Sequence, residues 1–418
     1  MNLKTYLERL GIPAPLGFGV IFIILGAVFY GVLSCTHSDD YRADHGVAPC
    51  EITAPLDSLF GSLFPAGEPG AIVAVMRDGE IVYDHAYGYS RLDSLARVTD
   101  STVFNLSAVS KLFSGVALMK MVEQGIITLD DSLSRFFPSF PSRYFDKITV
   151  SHVLSHCSGL PDLRPLGEDE WSRYLEMHKS VFGYDLDYRR YGTGVEYMKC
   201  FENLDTVAFA PGTHYDRRDI SYVLVAPLIE VATGKNFEEW MKENIFDPAG
   251  LSETYYYNVN FHHPRLAHGY KLAESTEPTS TFRSEDGRWE EYDCDEADYF
   301  LTKADRGVCG SARDFMRFKR ALREGRIISK ASIDTMLTPI IATHVPYVDF
   351  GLGTAVRRIP GTSAKAYHMN MNGGFSAVEC WWPDGDVDYL IFTSRNDWNQ
   401  HAVVAAVDSI LASKGWIL

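Results

Sequence analysis

Phe104-Asn105-Leu106-Ser107-Ala108-Val109-Ser110-Lys111, continuing as LFSGVALMKMVEQG over residues 112–125, is the stretch on which the fold turns. From Ala108 to Glu123 it is apolar on nearly every face, and a helix apolar all round is a buried helix. Gly125 stands where a helix C′ residue is wanted. Lys111, near the start, must then be aimed into a cleft or paired, because a buried, unpaired ammonium costs several kcal/mol. Lys120, farther along, reads as a solvated edge.

Outward from this helix, the two ends of the chain carry strand signals. Ile72–Met76 and Ile81–Tyr87 are β-rich runs meeting at Asp78-Gly79, a strong two-residue hairpin signal. Phe375–Trp382 and Val387–Thr393 flank Pro383-Asp384-Gly385 in the same way, and residues 401–413 close the chain as an apolar helix. Trp381 and Trp382 fall on opposite faces of their strand, which puts one in the core and leaves the other for the surface. The fold expected is α/β: an antiparallel sheet built from both chain ends, packed with helices. A helical lobe of about residues 112–345 would be inserted, with a cleft between lobe and sheet.

The chain has 418 residues, 46% hydrophobic and 22% charged, which excludes wholesale disorder. Its net charge of −16 gives no basic footprint for a phosphate backbone, so nucleic acid is excluded as a partner. Lys4 and Arg9 precede an uncharged run from Leu16 to Leu33, the pattern of a signal peptide or membrane anchor over residues 1–35. The positive flank stays in the cytoplasm and sends the body outward. Val32-Leu33-Ser34-Cys35 resembles a bacterial lipobox, which would make Cys35 a lipid attachment site; the alternative is that Cys35 ends an uncleaved spanning helix. Residues 36–50 read as a polar tether and 51–418 as the folded domain. The other cysteines are irregularly spaced, with no Cys-x-x-Cys, and read as buried thiols.

The residues around Lys111 have counterparts downstream. Leu129-Asp130-Asp131-Ser132-Leu133, Ile148 to Pro161 (ITVSHVLSHCSGLP), Pro211-Gly212-Thr213, Tyr222-Val223-Leu224 running into Thr233-Gly234, and Arg306 to Asp314 (RGVCGSARD) occur in order. Together they resemble the serine β-lactamase-like superfamily of class C β-lactamases, DD-peptidases and related esterases. The resemblance runs from about residue 55 to 413. It implies a nucleophilic Ser activated by a Lys one helical turn later, a second acid or base on the helical lobe, and an edge strand completing an oxyanion hole.

Each of those positions departs from the family pattern. Aligning Phe104 and Lys111 puts the nucleophile slot at Ala108, and a methyl group cannot attack a carbonyl. The family's Tyr-x-Asn falls on Arg217-Arg218-Asp219. Its third motif, a Lys or His with a Gly two places on, falls on His368-Met369-Asn370, where loss of the Gly would crowd the substrate strand. A carboxylate within about 4–6 Å of an amine favours the ammonium, so Asp219 beside Lys111 would make a structural ion pair rather than a general base.

Two functions follow from these residues. The first is a non-catalytic, membrane-anchored, extracytoplasmic relative in the bacterial envelope. It would act by scaffolding or by binding an anionic ligand, for instance a cell-wall peptide carboxylate, through Lys111, Arg217, His368 and Met371. The second is an active serine hydrolase (esterase, amidase or DD-peptidase-like) in which Ser107, also within one turn of Lys111, is the nucleophile; against it, Ser107 sits where an N-cap hydroxyl is wanted. His152 and His156 are four apart but lack the intervening Glu and a third ligand. No metal and no cofactor are expected.

Overall fold

The computed structural model describes residues 47–161, 207–258, 261, 263–273, 282–292 and 303–418. The N-terminal readings, Cys35 included, lie outside the described residues. Among those described, no helix is long and apolar enough to cross a membrane.

The elements that build the site are α1 (Thr53–Leu63), β1 (Ala71–Arg77), β2 (Glu80–Tyr87), α2 (Ser110–Glu123), α3 (Val150–Leu154), α4 (Ile220–Val223), α5 (Val225–Thr233), α6 (Lys303–Arg306) and α7 (Ala312–Arg323). They are completed by β3 (Ile341–Ala342), β4 (Val348–Phe350), β5 (Ala355–Arg357), β6 (Lys365–Asn372), β7 (Phe375–Trp382), β8 (Val387–Thr393) and α8 (Gln400–Ser413). The eight strands form one sheet in the order β3-β4-β5-β6-β7-β8-β1-β2. Every neighbouring pair is antiparallel. Both chain ends therefore meet at the β8–β1 pair, where Ala71 faces Thr393 and Arg77 faces Val387.

Alternation along the strands explains how the sheet is covered. Ile72, Ala74 and Met76 pack with α2 and α7, while Ala71, Val73 and Val75 pack with α1 and α8. Residues two apart share a face, so a strand sandwiched between two helical layers is buried throughout, as β7 and β8 are. The same layering corrects one expectation: Trp381 and Trp382 do lie on opposite faces, but both are buried because neither face of β7 meets water. The β1–β2 hairpin turns at Asp78 (φ +51°) and Gly79 (φ +80°), the left-handed pair that a two-residue turn requires.

α2 runs beneath this sheet with nearly all of its side chains buried. Gly125, with φ +69°, ends it as expected. Lys120 is not a solvated edge: it is half-buried, and its ammonium donates to the Ile327 carbonyl at 2.7 Å. Gly115 allows a close crossing, since a Cβ there would lie 3.1 Å from the Cα of Gly353 and 3.0 Å from the Leu352 carbonyl. The 351–354 loop is thereby pressed against α2, and Gly353 also donates its N–H to the carbonyl of Leu154 in α3. Cys157 and Cys380 are buried thiols.

Candidate functional site

A small sheet places the entrance of α2. Val103–Asn105 pairs with Val308–Ser311, and Leu106 N–H donates to the Val308 carbonyl at 2.9 Å. Ser107–Val109 then make a single 3-10 turn into α2. Ser107 is buried at φ +49°, a left-handed conformation that costs an L-residue about 1–2 kcal/mol. Its N–H is taken by Asn105 Oδ1 at 2.8 Å. The N-cap role expected for Ser107 is not what the structure shows, because its hydroxyl makes no cap bond and instead accepts from Nδ2 of Asn370 at 3.1 Å. Ala108 follows, fully buried.

Lys111 sits one turn further on, 1% exposed. Its ammonium donates to Asp219 Oδ1 at 2.9 Å and to Asp305 Oδ1. Arg306 lies beyond, paired with Asp219 and 3.5 Å from Asp305. The Tyr222 ring is 5.4 Å from the Lys111 nitrogen. Two cations and two carboxylates thus balance one another in charge, which offsets the cost of burying Lys111 and the two aspartates. The carboxylate expected from the second motif is present at Asp219. Asp305 was missed: α6 carries it, docked on α2 partly by the hydroxyl of Ser114 donating to the Ala304 carbonyl at 2.5 Å. A general base needs a free lone pair, and this nitrogen points its hydrogens at two carboxylates.

Of the other expected residues, Arg217 is exposed and donates to the Met369 carbonyl at 3.4 Å, while Arg218 pairs with Asp216 at 2.6 Å. His368 lines the cavity, but both of its ring nitrogens already have partners. Directly across from it on β7 is Glu379, 2.7 Å from Nδ1, and its Nε2 donates to the Gly353 carbonyl at 2.7 Å. His368 therefore clips β6 to the 351–354 loop. Burial pushes the Glu379 carboxyl up, but Lys319 and His368 more than offset this and hold it below the ordinary carboxylate range. Lys319 in turn bridges Glu379 and Asp388, both at 3.3 Å.

His152 and His156 do different jobs. His152 forms a capping box with Thr149 at the start of α3. His156, at φ +56°, lies against Tyr222 and Phe350, and its Nδ1 donates to the Arg218 carbonyl at 3.1 Å. Burial, reinforced by the positive charges of Lys111 and Arg217, holds its pKa well below the usual 6.5, so the ring is neutral. With the proton on Nδ1, Nε2 is a lone pair, and it has no hydrogen-bond partner among the described residues.

These groups surround a cavity of about 550 Å³ between lobe and sheet. Lys111, His156, Arg217, His344, His368 and His401 all contribute to its wall, with Met369, Asn370 and Met371 along the β6 edge, and among the described residues no Asp or Glu lines it.

A sheet with a helical lobe, and a buried Lys one turn into a helix facing a strand edge, define a serine-hydrolase type of fold. The family model described as Beta-lactamase matches residues 62–413, and the chain belongs to that family. It is similar to penicillin-binding protein 4* of Bacillus subtilis (strain 168), 26% identical over 365 residues that span 85% of this chain and 75% of that protein. In fold it is similar to a penicillin-binding protein from Bacillus halodurans, at 19% identity and a TM-score of 0.69, covering 87% of this chain and 100% of the other. It is likewise similar to the D-amino acid amidase of Ochrobactrum anthropi SV3, at 20% identity and a TM-score of 0.66, covering 87% and 98%.

Proposed function

We propose that this chain is a non-catalytic member of the beta-lactamase family, held outside the cytoplasmic membrane by its N-terminal segment, whose cleft binds an anionic ligand. One observation carries the loss of catalysis: Ala108 stands one turn before an amine that is already bound by Asp219 and Asp305. Neither an attacking oxygen nor a free base is in place for acyl transfer. A wall without carboxylates among the described residues supports the binding function, and Arg217 is an exposed cation on it. A peptide carboxylate from cell-wall material fits that chemistry. The lysine and arginine at Lys4 and Arg9, ahead of an uncharged run to Leu33, support the envelope location.

A serine hydrolase using Ser107 is the second reading, favoured by the strained φ of that residue, since such strain concentrates at functional positions. A sensitive ester-hydrolysis assay with Lys111→Ala as control separates the two: activity that disappears with the lysine means enzyme. A thermal-shift or equilibrium-dialysis screen with wall-derived peptides tests the binding function, and a screen without response removes it.

A further inference from the structure

The main cavity does not end at Met369. A second compartment of about 220 Å³ shares Val345, Val348, Tyr367, Met369 and His401 with it, and adds Arg357, Lys365 and Asp408. The two compartments adjoin along β6, where they have these five residues in common, and β5 pairs with β6 only from Lys365 to Tyr367.

The charges in this second compartment are unequal. Lys365 is buried and already bound to Asp408 at 2.7 Å, under the ring of Trp382. Arg357 is exposed at the end of β5 and has no ion-pair partner among the described residues. In the main cavity Arg217 is exposed, and its guanidinium donates to the Met369 carbonyl at 3.4 Å. The wall that the two compartments share is mostly apolar, formed by Val345, Val348 and Met369 with Tyr367 and His401, and Val345 is 56% exposed. Tyr367 stands between the ends: burial pushes its hydroxyl up, while Lys365, Arg357 and Arg217 all pull it back, so one phenol feels both guanidiniums.

We infer that the groove takes an elongated ligand with an anionic group at each end and an apolar or extended middle, one end on Arg217 and the other on Arg357. This rests on the anion-binding reading of the cleft and extends it to a second, remote charge. A guanidinium gives a carboxylate a charge-assisted, two-pronged bond, and two such bonds on one ligand act with an effective concentration set by the ligand's own length.

The test is isothermal titration calorimetry on the full chain, with α,ω-dicarboxylates from butanedioate to decanedioate set against monocarboxylates of the same carbon number. At the chain length that spans the groove, the dicarboxylate is expected to bind about tenfold tighter than its monocarboxylate. Arg357→Ala is expected to bring the dicarboxylate down to the monocarboxylate's affinity, with Arg357→Lys intermediate. Thermal unfolding of each variant verifies that it is folded. Equal affinity for the two series at every length, with binding still lost in Arg217→Ala, overturns the two-ended site and leaves the single anion site standing. No binding of either series overturns both, and a dicarboxylate advantage that survives Arg357→Ala overturns the assignment to Arg357.

Discussion

Asn370 reaches from the edge of β6 across the mouth of the cleft, and its side-chain amide donates to the Ser107 hydroxyl at 3.1 Å. The strand is anchored from behind as well, since Gln400 at the start of α8 donates to the Asn370 carbonyl at 2.9 Å. The crowding expected from a side chain where the family keeps a glycine is thus a specific bond, and it ties up the one hydroxyl beside Ala108. The cleft mouth and the amine behind it are closed by different residues, so opening one does not free the other.

Restoring the missing oxygen alone is therefore expected to fail. Ala108→Ser should show no labelling by a fluorescent penicillin or a fluorophosphonate above the background of the parent chain. Labelling should need Asp305→Ala and Asn370→Gly in addition, which release the amine and the strand edge. Rapid labelling of the single variant would show that Lys111 accepts a proton despite its two carboxylates.

Lys111→Met is expected to lower stability by about 3 kcal/mol, the low end for breaking a buried charge pair, because Arg306 still serves both aspartates. Adding Asp305→Leu should recover part of the loss. Urea denaturation monitored by tryptophan fluorescence measures both. A loss within a few tenths of a kcal/mol in the single variant would mean that the lysine is not part of the interior scaffold.

His156 gives stability a dependence on pH. Its folded pKa lies well below the unfolded value of 6.5, so the unfolded chain takes up a proton first as the pH falls. The contribution of the neutral ring is complete above pH 6.5 and is lost progressively below it. Replacing His156 by Asn, which tolerates positive φ, should reduce the stability difference between neutral and mildly acid solution. Denaturation midpoints across that range decide it; parallel curves for parent and variant would discount the histidine.

Gly353→Ala should cost on the order of 1–3 kcal/mol by overpacking. Its φ is +92°, and the added methyl would lie 2.9 Å from the Cα of Gly115. The same change displaces the carbonyl that His368 holds, so ligand affinity in the cavity should fall along with the melting temperature.

Much of the architecture was legible in local signals. Phe375–Trp382 and Val387–Thr393 coincide with β7 and β8 residue for residue, because β-branched runs and turn residues act over short spans. The burial of α2 followed from residue type and spacing, and the pairing of Lys111 with Asp219 from the family resemblance, which puts Asp219 in the slot beside the lysine. Asp305 did not, since it lies 194 residues from Lys111 and meets it only through the docking of α6. Nor did the Glu379 partner of His368, which is set by strand register. Ser107 misled for another reason: in sequence a serine before a helix is a cap, and only the tertiary approach of Asn370 gives its hydroxyl a different partner.

The four charges of this cluster, Lys111 included, come from three separate stretches of chain: α2, the residue just ahead of α4, and α6. They act as a rivet within the lobe, and α2, α4 and α6 cannot slide past one another without pulling paired charges apart. A receptacle fastened in this way keeps a constant width. It should select guests by fit at the moment of arrival rather than by folding around them.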